Sequence, residues 1–183
     1  MSEVDLSLYD NSHYQPGPRW KRLLWYVISI LFFEGSWNVS SSLKVRLLRW
    51  FGAQVGQGVV LKPQLKIKYP WLLQIGDYSW IGERVWIDNL AQVSIGSHVC
   101  VSQGALLLCG NHNYKSKTFD LITKPITIGE GAWVGAMSKV APGVTLAPYA
   151  VLTMGSVANR DLEAYGIYSG QPAVKVKERQ IES

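Results

Sequence analysis

The sequence predicts an all-β fold, a parallel β-helix of hexapeptide repeats with a short N-terminal helical segment. From residue 55 the chain divides into 15 hexads, with two-residue insertions at 73–74 and 93–94 and one interruption at 113–127. The first residue of a hexad is Val, Ile or Leu in 14 cases, and Ala158 is the exception. The second residue is Gly in six hexads, and the fifth is mostly small or apolar.

The length of this period predicts the geometry of the repeat. A step of six matches neither an α-helix nor a simple strand, so each hexad is interpreted as a short strand followed by a corner. Positions one and five then point into a narrow core. Gly at position two is expected to supply backbone dihedrals that other residues adopt only at a cost. Three hexads close one triangular coil, and both two-residue insertions fall between such triplets. The interruption at 113–127 also falls at a coil boundary, which is typical of a functional loop.

Residues 1–54 are expected to form a polar arm followed by two short helices. The apolar run at 20–33 is shorter than the roughly 20 residues that span a bilayer, and 43–51 places apolar residues at helical spacing. The aromatic residues and cations of 20–51 resemble a peripheral membrane anchor. The alternative is that both helices pack on the repeat domain or on a neighbouring subunit and cover an exposed end.

Composition limits the function classes. The 183 residues fit one repeat domain at 55–163 with a C-terminal tail at 164–183. Only 17% of residues are charged, which predicts faces covered by other subunits or by a membrane. The net charge of +5 favours an anionic partner, but nucleic acid would rest on that charge alone and is not expected. No signal-peptide pattern precedes the first apolar run, which predicts the cytoplasm, with the inner face of the membrane as the alternative.

Five segments resemble the hexapeptide-repeat acetyltransferases, and most of all the exopolysaccharide (colanic acid) biosynthesis O-acetyltransferases. They are LLRWFGAQVG (47–56), KIKYPWLLQIGDYSWIG (66–82), GNHNYKSKTFDLITKPITIGEGAWVG (110–135), VAPGVT (140–145) and YSGQPAVKVKER (168–179). The resemblance implies a left-handed helix, against the usual right-handed rule for parallel crossovers. It also implies acetyl-CoA as co-substrate and a homotrimer with the active site between adjacent subunits.

The resemblance also implies that His112 is catalytic. This residue lies just before the interruption, in the context Gly110-Asn111-His112-Asn113, where the family keeps its catalytic histidine. An imidazole titrating at about pH 6.5 can accept the proton of a hydroxyl as that hydroxyl attacks a thioester. No Ser or Cys matches a nucleophile motif, so direct transfer is expected. His13 and His98 are interpreted as structural or exposed.

Family matching places a set of cofactor-binding residues on the later coils. Trp133 is expected beside the site and Ala136 is the candidate donor to the oxyanion, although each could be an ordinary outward position. The lysines would meet the phosphates of the cofactor, or would simply be solvated. The full set is Ser102, Trp133, Ala136, Thr153, Met154, Asn159, Lys175 and Lys177.

The acceptor is expected to be a saccharide or a lipid-linked saccharide. Asp88 and Asn89 break the hexad pattern and could bond sugar hydroxyls, or could form a solvated turn. Trp80, Trp86 and Tyr114 could stack on a sugar or pack between subunits, and the loop 113–127 would help to select the acceptor.

Three other functions are weighed against this one. The same fold could acetylate serine, an antibiotic or another small alcohol, or it could serve as a non-catalytic scaffold. A zinc-dependent carbonic anhydrase of the same fold needs three histidines, and only His98 and His112 lie in the repeat region. The two cysteines form no metal cluster with them, so no metal is expected.

Overall fold

The computed structural model describes residues 4–182 and shows a three-sided parallel β-helix with helices at its N-terminal end. The helical elements are a 3₁₀ turn at Leu6–Leu8, α1 (Arg19–Ser29), a π-helical turn at Ile30–Glu34, α2 (Ser41–Trp50) and a 3₁₀ turn at Pro70–Leu72. The strands are β1 (Gln54–Val55), β2 (Val60–Leu61), β3 (Lys66–Ile67), β4 (Leu73–Ile75), β5 (Trp80–Ile81), β6 (Trp86–Asp88), β7 (Val93–Ile95), β8 (Cys100–Val101), β9 (Leu106–Leu108), β10 (Gly110–His112), β11 (Leu121–Thr123), β12 (Ile126–Ile128), β13 (Trp133–Val134), β14 (Lys139–Val140), β15 (Thr145–Leu146), β16 (Val151–Leu152), β17 (Val157–Ala158), β18 (Gly166–Gly170) and β19 (Ala173–Glu178).

Each side of the prism is a parallel sheet that takes one strand from every coil. The first face has the order β1-β4-β7-β12-β15, and the third has the order β3-β6-β9-β14-β17. The second face contains β2-β5-β8-β13-β16 and continues into β18 and the antiparallel β19. The predicted tail therefore begins with a strand that extends the solenoid, so the repeat structure runs beyond residue 163.

The predicted inward positions form the core. Every first-position residue is buried, and these residues stack in register, as in Val55 on Ile75 and Ile75 on Ile95. Fifth-position residues are buried too, except Trp71, Ala91 and Asn111. The inserted pairs at 73–74 and 93–94 lengthen β4 and β7 and leave the register intact.

Gly at position two has a different role from the predicted one. Positive φ angles occur at the fourth position instead, for example at Gly58, Tyr78 and Met137. A Cβ at Gly82 would lie 2.6 Å from the backbone nitrogen of Gln103, and one at Gly135 would lie 2.6 Å from the oxygen of Leu152. In the six hexads that have Gly at position two, Gly is needed because the next coil passes too close for a side chain.

The N-terminal helices cover the open end of the first coil. The Arg49 guanidinium donates to the Val55 carbonyl at 2.6 and 3.0 Å, and the Lys44 ammonium donates to the Lys62 carbonyl at 2.9 Å. Leu61 N–H donates to Ser41 Oγ at 3.0 Å. These bonds satisfy backbone groups that no preceding coil could pair. The alternative in which the helices pack on the repeat domain is therefore confirmed for their inner faces.

None of the helices in residues 4–182 combines the length and the apolar character needed to cross a bilayer.

Among the residues that cover the first coil, Lys44 is fully buried, and this burial lowers the pKa of its ammonium.

The excursion from the coils is a hairpin. Strand β10 pairs antiparallel with β11, with His112 opposite Leu121, and β12 returns to the first face at Ile126. The excursion therefore occupies about 110–125, slightly earlier than the predicted 113–127.

The stacked aliphatic core predicts a large cost for a cavity at its centre. Ile81 is fully buried, so Ile81→Ala should lower the free energy of unfolding by about 2–5 kcal/mol. Urea denaturation followed by circular dichroism measures this. The exposed Val176→Ala on β19 is the control and should shift stability by less than about 0.5 kcal/mol. Equal effects of the two substitutions would contradict the assignment of position one to the core.

Candidate active site

The ring of His112 is held in one orientation by Phe119. Nδ1 of His112 lies 2.9 Å from the carbonyl oxygen of Phe119, and the two rings stack with centroids 4.4 Å apart and planes 7° apart. A carbonyl can only accept, so this contact places the proton of the neutral ring on Nδ1. Nε2 then carries a lone pair and can accept a proton from a substrate.

The loop that supplies Phe119 is ordered by a carboxylate. Ser116 Oγ donates to Asp120 Oδ2 at 2.9 Å, and Thr118 Oγ1 donates to Asp120 Oδ1 at 2.6 Å. Asn113 N–H also donates to the Asp120 carbonyl at 2.8 Å. The hydrogen bonds from Thr118 and Ser116 lower the pKa of the Asp120 carboxyl. The loop is thus fastened on both sides of the residue that orients His112.

His112 lines a cavity of about 990 Å³ whose opposite wall is the N-terminal arm. The ring of Tyr9 lies 5.7 Å from that of His112, and the Tyr14 hydroxyl donates to the Leu90 carbonyl at 2.7 Å. Burial raises the pKa of the Tyr14 phenol. Asp5 N–H donates to the Lys117 carbonyl at 3.0 Å, so the arm also contacts the loop. The sequence of the arm does not predict this role, because polar residues without periodicity do not indicate which surface they contact.

A second cavity of about 350 Å³ lies between α1 and the third face. Arg22, Lys68 and Tyr69 line both cavities, so the two are neighbours. Trp86 and Asp88, both predicted acceptor residues, line the second cavity. The Lys68 ammonium lies 3.0 Å from Asp88 Oδ1, in an ion pair rather than an aligned hydrogen bond.

Asn89 is a structural residue, which corrects its assignment to acceptor binding. It is fully buried. Its Oδ1 accepts from the amides of Lys68 and Tyr69, and its Nδ2 donates to the carbonyls of Tyr69 and Leu72. Because both lone pairs and both protons are used, Asn89 has nothing left to offer a sugar. Its function is to hold the turn that carries Lys68 and Tyr69.

Seven of the eight predicted cofactor residues lie on the second face or at the corner after it, and Asn159 follows β17 of the third face. None of them lines the His112 cavity. The indole N–H of Trp133 donates to Ser102 Oγ at 2.9 Å, and Trp133 remains 47% exposed. The amide of Ala136 donates to no backbone or side-chain group within residues 4–182, so it is free to act as a donor. The amides of Gln103 and Met154, at the same position of their hexads, also lack an acceptor among the residues that the structure describes.

The remaining cofactor candidates differ in availability. Lys175 Nζ contacts Glu163 at 2.7 Å and Glu178 at 2.6 Å, and donation to Glu163 and Glu178 raises the pKa of the ammonium. Its charge is therefore already compensated. Lys177 and Asn159 are exposed, and Thr153 Oγ1 lies 2.9 Å from Ser156 Oγ.

Two further predicted residues sit at the surface. Tyr114 is 72% exposed in the loop beside His112, and it does not line the cavity of about 990 Å³. Trp80 lies on the second face, where β5 pairs with β8.

Within residues 4–182, no three His, Cys, Asp or Glu side chains are grouped so that they could hold a metal ion.

The remaining candidate side chains of the repeat region are structural or exposed. Cys109 is buried, and burial raises the pKa of its thiol to about 11. His98 stacks on Tyr78 with centroids 5.5 Å apart.

The sequence comparisons identify relatives with this repeat. The chain is 38% identical over 156 residues to a colanic acid biosynthesis acetyltransferase, WcaF, of Escherichia coli K12, covering 85% of this chain and 86% of that protein. The chain belongs to the hexapeptide-repeat acetyltransferases. It is also 26% identical to the galactoside O-acetyltransferase of E. coli K12, over 81% of this chain and 75% of the relative. No protein-family profile matches the chain.

Solved structures of this family share the fold. A hexapeptide-repeat acetyltransferase of Vibrio cholerae, complexed with acetyl coenzyme A, superposes with a TM-score of 0.81 at 20% identity, over 96% of this chain and 97% of that one. A galactoside acetyltransferase in complex with coenzyme A gives a TM-score of 0.77 at 23% identity, over 86% and 80%. These likenesses confirm the predicted left-handed β-helix.

The carboxylate network predicts how the loop responds to a charge change. Asp120→Asn keeps the shape but removes the charge that the hydroxyls of Ser116 and Thr118 bond, so residues 113–120 should be cleaved several-fold faster in limited proteolysis at neutral pH. Glu130→Gln, an exposed acid outside the loop, is the control and should leave the cleavage rate unchanged.

The pH dependence of the same network has a definite sign. The pKa of Asp120 in the folded chain lies below its ordinary value of 3.8. Its contribution to loop order is therefore complete above that value and is lost as the pH falls through the lowered pKa. Loop cleavage that is unaffected by Asp120→Asn would contradict the network.

Proposed function

We propose that the protein is an acetyl-CoA-dependent O-acetyltransferase that acts on a sugar hydroxyl, with His112 as general base and direct transfer. One observation carries the proposal: Phe119 fixes the tautomer of His112, and the ring lines a large cavity. A histidine that merely capped a turn would not need an oriented ring with a free Nε2 beside open space.

Besides this base, the reaction needs an activated acyl group and a donor to the negative oxygen of the intermediate. Acetyl-CoA supplies an acyl group activated as a thioester. The acceptor hydroxyl passes its proton to Nε2 of His112 as its oxygen bonds to the acyl carbon. The carbon–sulfur bond then breaks, and the proton passes from His112 to the departing thiolate, which leaves as the free thiol of coenzyme A. A backbone amide can stabilise the negative oxygen formed in between, and the free amide of Ala136 is the candidate.

The second face suits the cofactor. Trp133 and Met154 expose apolar surface there, and Ser102 is anchored by Trp133. Lys177 remains available for phosphate, whereas Lys175 would first have to leave its two carboxylates. The coenzyme A complexes of related folds support a groove of this kind.

The separation of His112 from this groove supports a site built by two subunits. The cavity at His112 is lined by none of the eight cofactor candidates. Adjacent subunits of a homotrimer would bring His112 of one copy to the second face of its neighbour. That arrangement also covers exposed aromatic side chains such as Trp80 and Trp133.

A saccharide fits the acceptor side better than serine or a small alcohol. The cavity of about 990 Å³ exceeds what such a molecule fills. The relatives are named for colanic acid biosynthesis and for galactosides, which supports a sugar. Within the second cavity Asp88 and Trp86 remain candidates for hydrogen bonding and stacking.

Removal of the imidazole tests the base. His112→Ala should lower acetyl transfer by about two to four orders of magnitude, because the hydroxyl loses its proton acceptor. The assay is thiol release from acetyl-CoA with a panel of glycans, serine and chloramphenicol as acceptors. Calorimetry should show that the variant still binds coenzyme A.

The control for this variant is His98→Asn, since His98 is exposed and adopts a positive φ that Asn tolerates. It should keep near-normal turnover. Near-normal turnover by His112→Ala would remove the proposed mechanism, and failure of the wild-type protein to bind coenzyme A would favour a scaffold.

Mixing inactive subunits tests the shared site. His112→Ala and Ala136→Trp should each be inactive, the second because an indole blocks the groove. Purification through two affinity tags after co-expression should select mixed trimers, checked by light scattering, in which about a third of the sites are intact. A stable monomer, or mixed trimers without activity, would contradict a site shared between subunits.

A further inference from the structure

Helix α1 and the π-helical turn after it have one face on the protein and one face free. On the inner face Trp25, Ser29 and Phe33 are buried, and the Trp25 indole donates to the Ile67 carbonyl at 2.8 Å. The outer face repeats at steps of three and four, the period of one side of a helix. It consists of Trp20, Leu23, Leu24, Val27, Ile30 and Leu31.

The outer face is apolar yet exposed. Its six side chains are between 42% and 68% exposed, and Trp37 just beyond them is 67% exposed. Scattered apolar residues on a surface need no explanation, but a contiguous stripe of this size marks an interaction site. The inner face already holds the helix in place, so the outer stripe is not needed for that.

The charge of the chain is concentrated in the same segment. Residues 19–50 hold six of the 18 Lys and Arg residues and one of the 13 acidic residues, a formal charge of +5. The rest of the chain holds twelve of each, so the excess charge of the protein resides in this helical segment. Its partner is therefore expected to be anionic as well as apolar.

We propose that the outer face of α1 docks on an anionic lipid bilayer, with the helix lying in the plane of the interface. Apolar side chains enter the acyl boundary, Trp20 and Trp37 sit at headgroup depth, and the exposed cations of the segment attract acidic lipids. These cations are Arg19, Arg46 and Arg49. A second copy of this chain is a poorer partner, because outside this segment its acidic and basic residues are equal in number and supply no net negative charge.

Docking would place the candidate active site at the membrane. The cavity beneath α1 adjoins the His112 cavity through Arg22, Lys68 and Tyr69. An acceptor sugar carried by a lipid would then be presented beside His112, a consequence that rests on the proposed function. The docking itself does not depend on that chemistry.

Vesicle binding tests the surface. Full-length protein should cosediment with vesicles of phosphatidylglycerol and phosphatidylcholine, more weakly with phosphatidylcholine alone, and less as salt rises. Leu23→Gln, Val27→Gln and Ile30→Gln together should weaken binding by at least about tenfold, since apolar burial is lost. Gln keeps helix propensity close to that of Leu, and circular dichroism confirms folding.

The matched control changes three exposed aliphatic residues elsewhere to Gln, namely Val174, Val176 and Ile181. It should bind vesicles as the wild type does. A wild type that does not bind, or a triple α1 variant that binds equally well, overturns the proposal. An outer-face variant that instead dissociates the oligomer, with no vesicle binding by the wild type, would assign the surface to a second copy.

A second measurement does not need the triple variant. Brominated lipids should quench part of the tryptophan fluorescence of the wild type, and Trp20→Phe should reduce that part, with Trp37 accounting for the remainder. Equal quenching of both proteins counts against insertion of α1. Because vesicle binding is measured without acetyl-CoA, and acetyl transfer with a soluble glycan, failure of one is distinguishable from failure of the other.

Discussion

The structure depends on backbone hydrogen bonds between successive coils. These coils enclose a core of stacked aliphatic side chains. Gly82 N–H donates to the Val101 carbonyl at 2.7 Å, and Gly135 N–H donates to the Leu152 carbonyl at the same distance. Strands of two or three residues are unstable alone, so each exists only because its neighbours pair with it. The stacking requires a fixed rise per coil, and in the hexads with Gly at position two that rise leaves no room for a Cβ.

A stack of coils has two ends, and the chain closes each of them differently. At the N-terminal end Arg49, Lys44 and Ser41 meet carbonyl and amide groups of the first coil. At the other end β18 adds to the second face and β19 folds back on it. A solenoid without such covers would expose pairing edges and associate end to end. The helical segment is therefore structural on its inner side, whatever contacts its outer side.

Much of the fold could be predicted because each hexad repeats the same physical requirement. Val, Ile and Leu at position one sufficed to locate the coils up to residue 163, but not the strand β18 that extends the second face. The position of His112 followed from a matching motif. Asn89 could not be assigned, since a buried turn and a sugar contact both favour an amide, and only its four backbone partners decide between them. The position of the arm over His112 was also beyond prediction, because its contacts join residues far apart in the sequence. Tyr9 contacts His112, and Tyr14 contacts Leu90, which is 76 positions away.

The hairpin that carries Phe119 leaves and rejoins the prism at almost one point. Lys124 N–H donates to the Cys109 carbonyl at 2.9 Å, and Ile126 N–H donates to the Gln92 carbonyl at 3.0 Å. The residues between these two bonds therefore do not affect the register in which the coils pair. The length and sequence of that stretch can therefore change without disturbing the scaffold, as long as a carbonyl remains in place to hold Nδ1 of His112.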